Sequence, residues 1–121
     1  MKVLIADDDK RIRDTVKGIL EKAGHAIEVA QSGLEAIRMA GTHRPAVIIL
    51  DGLMPEMHGF EVSRFLRCLD AAYHPVIIIL TAIYKGTKYQ SEARLRYGVD
   101  AYLHKPLQEV ELMNAIDRLA A

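Results

Sequence analysis

The chain has one thiol, Cys68, so no internal disulfide can form, and a reducing, cytoplasmic setting is expected. Tryptophan is absent, which removes the ring best suited to stacking on a flat cofactor. Neither sign of charge prevails: 16 Lys and Arg face 16 Asp and Glu, so no net field recruits nucleic acid or an anionic membrane. The only apolar run near the start is Val3 to Ala6, far too short for a signal-peptide core or a membrane span. Repeats, low-complexity tracts and linkers are missing, and the 121 residues stop directly after a last helical pattern. Residues 1–121 are therefore expected to form one soluble domain with a single sizeable core.

What the chain does have is a central stretch, Ala46 to Phe60, reading AVIILDGLMPEMHGF. Its apolar run is continuous rather than alternating, as in a strand covered on both faces of a parallel sheet. The run ends in one carboxylate, Asp51, before Gly52, Pro55 and Gly59 turn the chain. The carboxyl edge of such a sheet is where ligands and chemistry collect.

The remaining segments repeat this plan. A strand from Val3 to Ala6 ends in Asp7, Asp8 and Asp9, and a helix follows with Ile12, Val16, Ile19, Leu20 and Ala23 on one face, closed by Gly24. A strand over Ala26 to Ala30 leads through Ser32 and Gly33 into a helix from Leu34 to Ala40, which Arg44-Pro45 breaks before the central strand. A third helix carries Phe60, Val62, Phe65, Leu66 and Leu69. The strand Val76 to Leu80 ends in Thr81, and Thr87 with Gln90 has the form of a capping box, predicting a helix from about Lys88 to Tyr97 with Gly98 after it. The fifth strand is predicted over Val99 to His104, followed by Lys105 and Pro106. A last helix is predicted from Leu107 to Leu119, with Val110, Met113, Ile116 and Leu119 as its buried stripe. Strand and helix alternating in this way predict an α/β three-layer sandwich: a five-stranded parallel sheet flanked by five helices. Right-handed crossovers favour the flavodoxin-like order 2-1-3-4-5, whose switch point lies between the strands ending in Asp7, Asp8 and Asp51.

Three carboxylates in one cleft repel one another, and a hard divalent cation such as Mg²⁺ holds such a set ionised. A carboxylate beside Mg²⁺ is a competent phosphoryl acceptor, since the metal offsets charge that would repel the incoming group. Thr81 adds a hydroxyl and Lys105 a positive charge at the same edge. Singly, each has an ordinary structural explanation: a turn or N-cap aspartate, a β-branched strand end, a Lys-Pro strand stop. Together, at the ends of neighbouring strands 1, 3, 4 and 5, they describe one site.

In the order ADDD, LDGLMPEMHG, TA and YLHKP, these residues resemble the receiver domains of two-component response regulators, and the match covers essentially the whole chain. The resemblance implies that Asp51 is the phosphorylated aspartate, that Asp7 and Asp8 hold Mg²⁺ with Asp51 and the Leu53 carbonyl, and that Thr81 and Lys105 contact the phosphoryl group. Tyr102 becomes the switch aromatic, the Lys105-Pro106 bond is expected to be cis, and the face of the fourth helix, fifth strand and fifth helix carries the output. Leu53 and Ile83 flank the approach of water to the acyl phosphate, and being apolar they predict a long-lived signal. A histidine kinase or phosphotransfer protein is implied as donor, and a downstream protein partner or output domain as receiver of the signal. A phosphorylation-dependent homodimer is among the assemblies so implied, and no direct nucleic-acid or membrane contact. The domain is expected to signal rather than to work as an enzyme, beyond its own phosphoryl transfer and autodephosphorylation. Two departures from the family pattern stand out. The tract between Thr81 and Tyr102 is about two residues longer than usual, which bears on the fourth helix, and Gly52 replaces a commonly larger apolar residue, which predicts a looser loop.

Two other readings of the same fold fit these residues less well. A flavodoxin-like cofactor binder wants a Ser/Thr/Gly-rich loop after the first strand, where this chain has ADDD. An aspartate-dependent phosphatase wants an acid two residues after its nucleophile, where this chain has Leu53. The nucleotide-binding patterns GxxxxGK[ST] and GxGxxG do not occur. His25, His43, His58, His74 and His104 show no metal-like spacing, Cys68 is read as a helix residue without chemistry, and Arg94 and Arg96 as solvated charges.

Overall fold

A computed structural model describes residues 1–82 and 96–120. Five strands and four helices appear among them: β1 (Lys2–Ala6), α1 (Lys10–Lys22), β2 (Ala26–Ala30), α2 (Gly33–His43), β3 (Val47–Asp51), α3 (Gly59–Arg67), β4 (Val76–Thr81), β5 (Ala101–His104) and, as the last helix, α4 (Glu109–Ala120). The strands pair in parallel in the order β2-β1-β3-β4-β5, as the topology rules predicted. The helix predicted from Lys88, with its capping box at Thr87 and Gln90, lies largely outside the described residues, as do Ile83 and Arg94. Its last two positions, Arg96 and Tyr97, are helical.

Continuous apolar strands make sense here because successive side chains point to opposite faces and both faces are covered. On one side Leu4, Ile48, Leu50, Ile77 and Ile79 pack with Ala36 and Ala40 of α2 and Val62 and Leu66 of α3. On the other, Val3, Ile5, Val47, Ile49, Ile78 and Leu80 pack with Val16 and Leu20 of α1 and Leu112, Ala115 and Ile116 of α4.

Local chemistry sets the helix ends. Asp9 is the N-cap of α1, its carboxylate accepting from Arg11 N at 2.9 Å, and Gly24 takes φ +90° just past the helix. Ser32 caps α2 by accepting from Glu35 N at 3.2 Å. That helix continues one polar turn beyond the predicted Ala40 and stops where Arg44 turns left-handed (φ 48°) before Pro45.

Three expectations need correction. The stripe predicted for the last helix is rotated: Leu112, Ala115 and Ile116 are buried, whereas Val110 is 70% exposed. Nine residues make about two and a half turns, so Val110 and Leu119 cannot share a face. The fifth strand begins at Ala101 rather than Val99, because the Asp100 carboxylate turns in to accept from Ile77 N at 2.8 Å and from Arg67. Gly52, expected in a loose loop, is buried and closely packed.

Candidate functional site

Parallel register brings the strand ends together. Ala6 pairs with Leu50, Asp51 with Leu80, and Thr81 with His104, so the residues at and just after those ends share one edge. Asp7 follows β1 with its N–H bonded to Ala30 O at 3.3 Å, and its carboxylate turns back to accept from Asp9 N at 2.9 Å. Arg13 of α1 holds the same corner, donating to Asp7 O at 2.8 Å. Asp51 is the last residue of β3, one step further into the ladder than the sequence suggested.

Each oxygen donor has a distinct setting. Asp7 and Asp51 are buried while Asp8 is exposed, and one carboxylate oxygen from each of the three lies within 4.8 Å of the others. Lys105 reaches in from the end of β5, its Nζ 3.0 Å from Asp7 Oδ2 and 3.5 Å from Asp51 Oδ1. Leu53 donates its N–H to Asp51 Oδ1 at 3.2 Å, and its side chain is partly exposed at the rim. Thr81 is buried, and its carbonyl accepts from Lys105 N at 2.8 Å, which fixes the start of the cis Lys105-Pro106 bond.

Electrostatics follow from this crowding. Burial is the main reason that Asp51 is pushed up from 3.8 to about 6; the Asp7 charge adds to it, while Leu53 N–H and Lys105 pull the other way. Burial also opposes the Lys105 charge, but its hydrogen bond to Asp7 and the nearby Asp51 carboxylate outweigh this, and its pKa is raised. Among the described residues one ammonium therefore faces three carboxylates, and the surplus negative charge sits on hard oxygen donors. That donor set fits a divalent cation of the Mg²⁺ type.

Tyr102 of β5 is buried on the α3 side, its ring 6.0 Å from Phe60 and 5.4 Å from His104. The Phe60 ring in turn lies 5.6 Å from Tyr97. Asp7, Asp8, Asp51, Leu53 and Lys105 thus surround one cleft, with Thr81 at its wall and Tyr102 a strand further out.

Sequence reasoning missed three contributors. Gly59 stands so close to the Asp51 carbonyl that no side chain could fit, with its N–H bonded to Gly52 O at 3.3 Å; the glycine at the helix start was the available signal. Arg67 is largely buried and donates to Gly98 O, Pro75 O and Asp100 Oδ2 at 2.6–2.9 Å. Ser63 donates to Tyr97 O at 2.7 Å. Nothing in residue spacing announces those last two contacts, which join segments more than thirty residues apart.

A doubly wound parallel sheet with an acidic cleft at its switch point defines a receiver-type domain. Residues 3–117 match the response regulator receiver domain family, and the chain belongs to it. The chain is 35% identical over 113 residues to the response regulator MprA of Mycobacterium avium, covering 93% of itself and 48% of that relative. It thus spans about half the length of the curated relatives it matches. Among solved structures it resembles the Vibrio cholerae chemotaxis protein CheY4, with TM-score 0.88, 32% identity and coverage of 98% of this chain and 97% of that one. It also resembles the receiver domain of the Pseudomonas aeruginosa sensor histidine kinase PA1611, with a magnesium ion coordinated in its active-site cleft (TM-score 0.83, 26% identity, 97% and 94% covered). The chain is accordingly a receiver domain of two-component signalling, a signalling domain. No helix among the described residues is long and apolar enough to cross a membrane.

Proposed function

We propose that residues 1–121 form one receiver domain in which Asp51 accepts a phosphoryl group from a histidine kinase or phosphotransfer protein. The observation that carries this is the cluster of Asp7, Asp8 and Asp51 oxygens within 4.8 Å, met by the partly buried Lys105 ammonium. In the transfer, an Asp51 carboxylate oxygen forms a bond to phosphorus as the phosphorus–nitrogen bond of the donor's phosphohistidine breaks, and the imidazole leaves with the electron pair. Lys105 is placed to share its charge between Asp51 and a phosphoryl oxygen, and the Thr81 hydroxyl donates to another. Asp7, Asp8 and Asp51, with the Leu53 carbonyl, would hold Mg²⁺, a reading supported by the donor set and by the magnesium in the PA1611 cleft. When bound, Mg²⁺ supplies charge neutralisation between acceptor and phosphoryl oxygens. Water later attacks phosphorus, the phosphorus–oxygen bond breaks, and the Asp51 carboxylate is restored.

The output follows from differential contact. A phosphoryl group draws the Thr81 hydroxyl toward itself, the Tyr102 ring turns into the vacated space, and the face containing β5 and α4 changes for a downstream protein or a second copy of the chain. The domain is read as working in the cytoplasm through protein contacts.

Incubation with a small-molecule phosphodonor and Mg²⁺, followed by trapping and mass-spectrometric mapping, tests the acceptor. Label on Asp51 alone is expected; label persisting in Asp51→Ala ends the reading. Amide-shift changes confined to Ile12–Leu20 of α1, which packs beside β1 and β2 rather than β5, would contradict the proposed output face.

A further inference from the structure

Gly52 is the residue after the acceptor, and the structure gives it an unusual place. Its N–H continues the β3–β4 ladder by donating to Leu80 O at 3.2 Å, and its carbonyl accepts from Gly59 N. Its α-carbon is therefore held from both sides, by β4 and by the start of α3. A β-carbon added there would lie 3.0 Å from Thr81 Cβ, 3.1 Å from Thr81 Oγ1 and 3.4 Å from Phe60 Cε2. The first two separations are closer than ordinary van der Waals contact. Thr81 thus takes up room that a residue-52 side chain would need, and the ring of Phe60 bounds the same space.

We propose that Gly52 is a positioning residue for phosphoryl transfer: its missing side chain leaves room that Thr81 and Phe60 share, and this sets where the Thr81 hydroxyl stands beside Asp51. The inference rests on the assignment of Asp51 as acceptor and Thr81 as phosphoryl ligand. Gly52 touches no reacting atom and acts through Thr81. A methyl group at position 52 pushes the Thr81 side chain by a few tenths of an ångström, and backbone hydrogen bonds on both sides limit residue 52 to a small tilt. Relief is available only from the Phe60 side, because a shorter side chain there opens space for the added carbon.

The pairing makes a cycle testable. Phosphorylation of Asp51 by a small-molecule phosphodonor is timed in the parent, Gly52→Ala, Phe60→Leu and the double variant, with Mg²⁺ affinity measured on each by calorimetry. Misplacing a catalytic group by 1 Å costs ~100-fold, so a shift of a few tenths predicts roughly 5- to 10-fold slower labelling in Gly52→Ala. Mg²⁺ affinity stays within about twofold, because the three carboxylates are untouched, a split that general loosening of the fold would not give. Phe60→Leu alone is slowed about twofold, and the double variant labels faster than Gly52→Ala. Introduced into Thr81→Ala, which lacks the hydroxyl, Gly52→Ala adds no further slowing. Parent-rate labelling of Gly52→Ala overturns the proposal, as does a double variant slowed by the product of the two single effects. Should Gly52→Ala not fold, Phe60→Trp presses on the same space from the other side and must show the slowing; parent-rate labelling of that variant overturns the proposal equally. Failure of the acceptor assignment itself shows separately, as a parent that carries no label on Asp51.

Discussion

The Lys105 ammonium lies 3.0 Å from Asp7 Oδ2, joining two residues 98 positions apart across the acidic cleft. That contact brings the end of β5 to the end of β1 although β3 and β4 stand between them in the sheet. A side chain of Lys length spans the gap, and both groups are largely buried, so the pair is screened less than a surface one. Lys105 also stands 3.5 Å from Asp51, which leaves it able to trade one carboxylate for the other, or for a phosphoryl oxygen, with little movement.

Asp51 makes the metal-free domain less stable as pH rises. Its folded pKa, about 6, exceeds the ordinary 3.8, so between these values the native state holds more proton than the unfolded chain, and stability falls with increasing pH. Replacing Asp51 with Asn removes that loss. In EDTA at pH 7 the variant should be more stable by about 1–3 kcal/mol, the gain shrinking to about 0.5 kcal/mol or less by pH 4. Urea unfolding at the two pH values measures this; a gain that does not shrink at low pH refutes the electrostatic cause.

Asp8 and Asp7 should separate metal binding from folding. Asp8 is exposed, so Asp8→Asn is expected to weaken Mg²⁺ binding at least tenfold and slow phosphorylation, with stability changed by no more than about 0.5 kcal/mol. Asp7→Asn should lose both, since Asp7 accepts from Asp9 N and pairs with Lys105 in a buried setting. Calorimetry with Mg²⁺ and urea titration of each variant check the split. Equal Mg²⁺ affinity in Asp8→Asn and parent removes Asp8 from the metal site.

Arg67 should matter more to stability than any surface ion pair. It satisfies the carbonyls of Gly98 and Pro75 and the Asp100 carboxylate, which also takes the Ile77 N–H. Gly98, at φ +71°, lies directly under the Arg67 side chain, so neither residue has a ready substitute. Arg67→Ala is expected to cost about 2 kcal/mol, because partly buried acceptors and a carboxylate lose their donor. Lys10→Ala, which removes an exposed pair with Asp14, should cost under about 0.5 kcal/mol. Thermal or urea unfolding compares the two.

The hydrophobic runs and the acids that end them made the sheet order and the cleft legible in the sequence. Asp7, Asp8, Asp51, Thr81 and Lys105 all stand at the predicted edge because strand position alone determines that. Val110 was misplaced because periodicity over a helix of three turns does not say where its face begins. The early end assigned to α2 at Ala40 had a similar source: apolar spacing marks burial, and a last polar turn carries none. Asp100, Arg67 and Ser63 were illegible for another reason. Their partners are backbone groups brought close only by tertiary packing, and no local pattern encodes them. Gly52 was read as slack because glycine is flexible in a free chain; in the fold its missing side chain is space already taken by Thr81 and Phe60.

The lifetime of the phosphorylated state should depend on Leu53. Its N–H is tied to Asp51 Oδ1 at 3.2 Å, which holds the residue beside the acceptor, and Leu53 is 39% exposed to solvent. Water must reach phosphorus opposite the Asp51 oxygen, and a branched apolar side chain at the rim offers the water no hydrogen bond and some shielding. Full general-base assistance is worth ~10²–10⁴-fold, and mere orientation by a partly exposed side chain should be worth less. Leu53→Asn, which supplies a donor and an acceptor at nearly the same volume, is therefore expected to shorten the lifetime by ~5- to 10-fold, about 1–1.4 kcal/mol of barrier. Phosphorylation rate with a small donor should change less, because the donor carries its own leaving group and needs no oriented water. Following decay of labelled protein after removal of the donor measures the lifetime directly. A Leu53→Asn variant that decays at the parent rate means that attack is set elsewhere in the cleft, and Leu53 then serves the site only through its backbone.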